Sequence, residues 1–253
     1  MIRERIAAMA IDTLQKQSPN FGPRAVGAAV DMIVLHYTGM PEAEAALKWL
    51  CDPKSQVSCH YFVFEDGRVA RLVDEEQRAW HAGAAFWAGE RDINSRSIGI
   101  EIANPGHAFG YREFPNAQIE AVIRLCRDLV ARFRVPAERI LAHSDVAPGR
   151  KQDPGELFPW DRLAAEGIGH WVRPAPVAPG TVLQLGDRGP AVSALKAQFE
   201  RYGYGADRSD VFDTDLEAVV TAFQRHFRPG RVDGVADPST LATLSRLLSS
   251  RTR

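Results

Sequence analysis

Between Arg173 and Gly180 the chain reads Arg-Pro-Ala-Pro-Val-Ala-Pro-Gly, three prolines in eight residues. Proline fixes its own φ and removes a backbone donor, so neither a helix interior nor a central strand runs through such a stretch. The composition favours an extended, semi-rigid spacer and divides the 253-residue chain in two. The expected units are an N-terminal extension at 1–24, a large domain at 25–172, the linker at 173–180 and a small domain at 181–253.

The two sides of the linker differ in periodicity. Upstream, the run Met32-Ile33-Val34-Leu35-His36 is apolar and too short for a helix, so it reads as a buried strand. Residues 97–103 alternate, with Ile98, Ile100 and Ile102 on one face and Gly99, Glu101 and Ala103 on the other. Residues 60–64 and 69–73 flank Asp66-Gly67 as a hairpin, and 139–143 forms a further strand. From Asn116 to Arg134, Ile119, Val122, Ile123, Cys126, Leu129, Val130 and Phe133 keep the spacing of one helical face and stop ahead of Pro136. Pro41–Leu50 is expected as a shorter helix, with Pro41 near its first turn. This order of elements predicts an α/β fold, a mixed central sheet flanked by helices. Downstream, three amphipathic helices follow: one with Val192, Leu195, Phe199 and Tyr202, a second with Leu216, Val219, Val220, Phe223 and Phe227, and a third over Ser239–Leu248. Asp237 caps the third and Pro238 sits in its first turn.

Composition excludes several function classes. A formal net charge of −1 gives no general electrostatic grip on nucleic acid or on an anionic membrane. No apolar stretch approaches the roughly 20 residues that span a bilayer. Met1–Asp12 has positive charge but no convincing apolar core or cleavage site, which points to the cytoplasm. The alternative is the periplasm or cell envelope, for a chain whose export signal was removed or mis-started. Cys51, Cys59 and Cys126 are odd in number and match no zinc or redox spacing, so they read as reduced thiols.

Chemistry concentrates at Ala142–Gly155. Here His143, Lys151 and Asp153 fall within eleven residues, and Pro148-Gly149 turns the chain so that the latter two can return towards the histidine. Imidazole and carboxylate are zinc ligands, and a catalytic zinc takes three protein ligands and leaves one position for water. One more ligand is therefore needed. His36, at the end of a strand, is placed for it; taken alone it also reads as a satisfied strand-end histidine. Glu101 lies mid-strand between small residues, either on a solvated face or beside a cation as a general base. His60 reads as a core histidine. His81, next to Trp80 in a loop of small residues, is divided between structure and substrate contact.

These segments together resemble the zinc-dependent N-acetylmuramoyl-L-alanine amidases of the amidase-2 family. The resemblance rests on Leu35-His36-Tyr37-Thr38, Ala79-Trp80-His81-Ala82-Gly83, Ser97–Glu101, and His143-Ser144-Asp145 with Lys151–Gly155, in the family's order over roughly residues 25–170. It implies that His36, His143 and Asp153 bind Zn2+, that Glu101 is the catalytic acid/base, and that Lys151 steadies charge on the scissile carbonyl. Trp80, His81 and Asn104 are candidate substrate contacts. The Ser18-Pro19-Asn20-Phe21 lead-in and the second domain most resemble the longer, AmiD-type members. Residues 181–253 resemble the peptidoglycan-binding domain 1 family in Leu183-x-x-Gly186-Asp187-x-Gly189, Ala222-Phe223-Gln224 and the Asp233-Gly234 turn. Val211–Thr214 departs from that family, in which a glycine-bearing turn is common at this place. The expected partner is peptidoglycan or a muropeptide. A non-catalytic binding or sensing protein on the same fold is the rival reading, and the joint presence of Asp153, Glu101 and Lys151 argues against it.

Overall fold

The computed structural model describes residues 13–251; the Met1–Asp12 reading lies outside them. The chain enters through two short strands, β1 (Thr13–Gln15) and β2 (Phe21–Pro23), followed by β3 (Met32–Tyr37) and helix α1 (Ala43–Leu50). β4 (Tyr61–Val63) and β5 (Val69–Arg71) form the expected hairpin, and β6 (Gln77–Ala79) pairs with β2. A turn of helix, α2 (Ile93–Arg96), leads into β7 (Ser97–Ile102), then α3 (Asn116–Phe133), β8 (Ile140–Ala142), the one-turn α4 (His143–Val146) and α5 (Trp160–Ala165). The main sheet has the order β1-β5-β4-β7-β3-β8. β4, β7, β3 and β8 are mutually parallel, while β5 runs against β4 and alongside β1.

β3, β4 and β8 read as continuous apolar runs because both faces of the sheet are covered. On one face Ile33, Leu35, Ile98, Ile100, Ile102 and Ile140 pack on the Ile119, Val122, Cys126 and Leu129 stripe of α3. Fully burying each such aliphatic side chain contributes roughly 1.5–3 kcal/mol. On the other face Met32, Val34 and Leu141 belong to a second cluster that includes the helices beyond the linker. Those helices are α6 (Pro190–Tyr202), α7 (Thr214–Phe227) and α8 (Pro238–Ser250), with Asp213 and Asp237 accepting the backbone amides of Leu216 and Thr240 as caps.

Several boundaries differ from expectation for physical reasons. Part of the supposed extension is woven into the fold: β1 closes the sheet edge on β5 and β2 pairs with β6. Pro41 precedes the cap Glu42 of α1 and so stands outside its first turn. β8 ends at Ala142, and His143 opens α4 rather than closing the strand. The linker is extended but docked, since the Ala175 amide donates to Thr243 Oγ1 (3.0 Å) and its carbonyl accepts from Ser239 Oγ (2.6 Å). Among the described residues, no helix is long and apolar enough to cross a membrane.

Candidate active site

Strand register builds the site. Parallel pairing of β3 with β7 sets His36 beside Glu101, and two-residue alternation turns both away from the face that packs on α3. β8 lies on the other side of β3, so its C-terminal end delivers His143 next to His36. The turn after α4 then brings the chain back, and the Ser144 amide donates to the Asp153 carbonyl (3.0 Å), tying the two stretches together. Ligands gather at the carboxyl ends of parallel strands in open α/β sheets, and this site lies there.

Three donor atoms converge. His36 Nδ1 and His143 Nδ1 are 2.8 Å apart, and Asp153 Oδ2 is 3.0 Å from the first and 2.9 Å from the second. All three residues are buried. Hydrogen bonds on their far sides fix which nitrogens carry protons. The Ser97 hydroxyl spends its proton on the Ile93 carbonyl (2.6 Å), so it can only accept from His81 Nε2 (3.1 Å). Neutral His81 then offers Nδ1 as an acceptor, and His36 Nε2 donates to it (3.0 Å). His143 Nε2 likewise donates to the Ala82 carbonyl (3.1 Å). In neutral rings Nδ1 is then the acceptor, and both Nδ1 atoms face Asp153.

Burial, then His143, hold the His36 imidazole down to about 4 against the pull of Asp153, and burial, then His36, hold His81 well below the ordinary range. Burial pushes the Asp153 carboxyl up, but His143 and His36 outweigh it and keep it well below the usual carboxylate range. Two imidazole nitrogens and a carboxylate oxygen within 4.8 Å of one another suit a divalent cation. Their outward hydrogen bonds are the support that metal-ligating histidines require.

Glu101 sits beside this cluster with Oε2 shut off from solvent and without a hydrogen-bond partner. Burial, and then Asp153, push its carboxyl well above the ordinary value, with Lys151 opposing. A cleft of about 430 Å³ opens over the group, lined among others by Trp49, Trp80, Glu101, His143, Lys151 and Asp153. The Arg150 guanidinium holds its wall by donating to the Ala82 and Ala84 carbonyls (2.5 and 2.8 Å).

The structure therefore brings together His36, His143, Asp153, Glu101 and Lys151, and sets Trp80 in the cleft wall. His81 touches the cleft but is 8% exposed, and both its nitrogens are bonded to protein. Asn104 is buried elsewhere, donating to the Arg112 carbonyl (2.8 Å) and accepting from the Gly106 amide (3.0 Å). His60 is a core residue whose Nδ1 accepts from the Gly99 amide (3.0 Å). Sequence reasoning missed Ser97 and Asp145. Both stood in the motifs that carry the resemblance, Ser97–Glu101 and His143-Ser144-Asp145, without a role of their own.

A candidate metal cluster beside a free carboxylate and a lysine in an open cleft suits a metal-assisted hydrolase. The sequence pattern of the N-acetylmuramoyl-L-alanine amidase family matches residues 26–156, and that of a family described as a peptidoglycan binding domain matches residues 188–244. The N-acetylmuramoyl-L-alanine amidase AmiD of Escherichia coli is 38% identical over 235 residues, covering 87% of this chain and 82% of AmiD. A structure of AmiD with the substrate anhydro-N-acetylmuramic acid-L-Ala-D-γ-Glu-L-Lys superposes with a TM-score of 0.75 at 36% identity, covering 89% of this chain and 92% of that one. AmpDh3 of Pseudomonas aeruginosa gives 0.72 at 30% identity, covering 89% and 94%. The chain belongs to the N-acetylmuramoyl-L-alanine amidase family and hydrolyses the bond between N-acetylmuramic acid and L-alanine in cell-wall turnover.

Proposed function

We propose that His36, His143 and Asp153 hold Zn2+, that Glu101 moves the proton, that Lys151 stabilises the developing oxyanion, and that the cleft takes a soluble anhydro-muropeptide. The observation that carries this reading is the convergence of two Nδ1 atoms on Asp153 Oδ2 beside a carboxylate, Glu101, whose Oε2 is buried and unpartnered. Zinc at these side chains would polarise the scissile carbonyl and make a water molecule acidic enough to attack near neutral pH. Glu101 takes the proton that the attacking water loses and returns it to the amine as the C–N bond breaks, leaving a lactyl carboxylate and a free L-alanine amine. Its raised affinity for a proton suits both halves of that task. The Lys151 ammonium faces the same cleft, and losing one such electrostatic donor costs about 100- to 1000-fold in rate. Trp49 and Trp80 offer apolar walls to the sugar, and Arg150 and Lys151 offer positive charge to the acidic stem peptide. The anhydro-muropeptide assignment is supported by the ligands in the complexes of AmiD and AmpDh3.

The test measures zinc by elemental analysis and peptide release from a soluble anhydro-muropeptide and from intact sacculi. Glu101→Gln is expected to keep zinc and lose turnover; His36→Ala is expected to lose zinc. Full activity of Glu101→Gln, or an undiminished zinc content in His36→Ala, removes the role given to that residue. Faster release from sacculi overturns the substrate assignment.

A further inference from the structure

Asp145 is fully buried two residues beyond His143, in the short turn α4, and is not in contact with the cleft. Its carboxylate accepts three hydrogen bonds. One comes from the Ala142 amide (2.8 Å to Oδ2) and closes the turn on itself. The other two cross from the C-terminal lobe: the Tyr204 hydroxyl reaches Oδ1 (2.6 Å) and His226 Nδ1 reaches Oδ2 (2.7 Å). Tyr204 and His226 are themselves almost wholly buried. The His226 ring stacks on Trp160 of the amidase domain at 3.7 Å, and Tyr204 meets Trp87 edge-on at 4.9 Å. The backbones also lock, since the Ala88 amide donates to the Gly203 carbonyl (2.7 Å), and a side chain at Gly203 would come within 2.6 Å of the Trp87 ring.

A tethered wall anchor has no need of this junction. We infer that the C-terminal lobe is a structural part of the catalytic centre: Tyr204 and His226 are positioning residues that clamp Asp145 and thereby orient the turn carrying His143. The same turn holds Asp153 through the Ser144 amide, so the clamp reaches two of the three converging groups. A buried carboxylate deprived of donors pays the full cost of desolvation, and the turn relaxes to regain them. The inference rests on His143 being a zinc ligand.

The test uses the full chain and reads zinc affinity by competition with a chelator, together with kcat and KM on a soluble muropeptide that needs no wall anchoring. Tyr204→Phe combined with His226→Leu keeps the bulk and removes both donors. It is expected to weaken zinc binding by up to about 10-fold, the lower end of what losing a ligand's own hydrogen-bond partner costs, and to lower kcat while KM holds. His226→Asn, whose amide N–H can stand in for Nδ1–H, is expected to recover most of the affinity lost in His226→Leu. Tyr204→Phe alone removes a single oxygen and serves if the double variant does not fold. Unchanged zinc affinity in these variants overturns the clamp, and so does a loss that His226→Asn fails to restore, which would mark a packing effect. His143→Ala separates the two ideas: if it keeps wild-type zinc affinity the ligand assignment fails, whereas zinc loss there with intact binding in the Tyr204 and His226 variants sinks the clamp alone.

Discussion

A carboxylate placed as Glu101 is placed, with one oxygen buried and unpaired, weakens the fold that carries it. Its raised proton affinity gives the sign of the effect. Below the ordinary value of 4.5 the acid is neutral in both folded and unfolded chains and costs nothing; as pH rises the unfolded chain ionises freely while the folded one resists, so stability falls. Glu101→Gln should therefore stabilise the metal-free protein at pH 7 by on the order of 1–3 kcal/mol, with the gain vanishing near pH 4. Urea denaturation of both proteins across that range measures it, and a gain independent of pH would show that ionisation is not the cause. Glu101 was legible in the sequence because it interrupts an apolar strand between small residues. Its neighbour Gly99 carries a role that was not. A Cβ there would lie 2.5 Å from the His81 ring, so the glycine makes room for the imidazole that sets the His36 tautomer. Gly99→Ala should displace His81 and weaken zinc binding by about 10-fold or more, read by chelator competition; unchanged affinity would mean that His36 needs no such partner. The sequence shows Trp80 beside His81 and suggests a ligand surface, whereas Ser97 and Gly99, which explain His81, lie 16 and 18 residues away and act only once the sheet is paired.

At the scale of elements, what could be read in advance followed from periodicity. α3 runs from Asn116 to Phe133 because its apolar stripe faces the sheet, and Arg134 ends it in a left-handed cap ahead of Pro136. β3 was visible as a short apolar run buried on both faces, and β7 by the alternation of Ile98, Ile100 and Ile102 with Gly99 and Glu101. β1 and β2 were not, because Thr13-Leu14-Gln15 and Phe21-Gly22-Pro23 are largely exposed, carry no apolar run, and exist as strands only through their partners β5 and β6. The helical turn α4 is a similar case: four residues beginning with His143 give no periodic signal, and a side chain, Asp145, satisfies the free amide at its start. Register is the element-scale quantity on which function depends. A slip of one residue between β3 and β7 would turn Glu101 to the α3 face and leave His36 beside an isoleucine.

The whole molecule departs furthest from the picture of two domains on a spacer. The strands of the sheet precede the proline-rich stretch and α6, α7 and α8 follow it, yet the two parts share one core: Met32, Val34, Trp87, Leu141 and Val146 pack in the same cluster as Val192, Phe199, Tyr204, Phe223 and Phe227. The contacts that fuse them link residues about 60 and 80 positions apart, such as Asp145 with Tyr204 and His226, and no local pattern encodes them. A shared core has a thermodynamic consequence. Lobes joined by a loose tether unfold separately, whereas lobes whose buried side chains interlock lose their stability together. Calorimetry of the metal-free full chain should therefore show one transition whose van't Hoff and calorimetric enthalpies agree. Two resolved transitions, the smaller with the enthalpy of about 70 residues at roughly 0.7 kcal/mol each, would mean that the lobes fold independently. On the fused reading, a chain ending at the linker exposes Trp87 and Val146 and leaves Asp145 without two of its three donors. Such a truncation would then lose activity towards soluble fragments and sacculi alike, so a deletion that abolishes wall hydrolysis says nothing of wall binding unless soluble turnover survives.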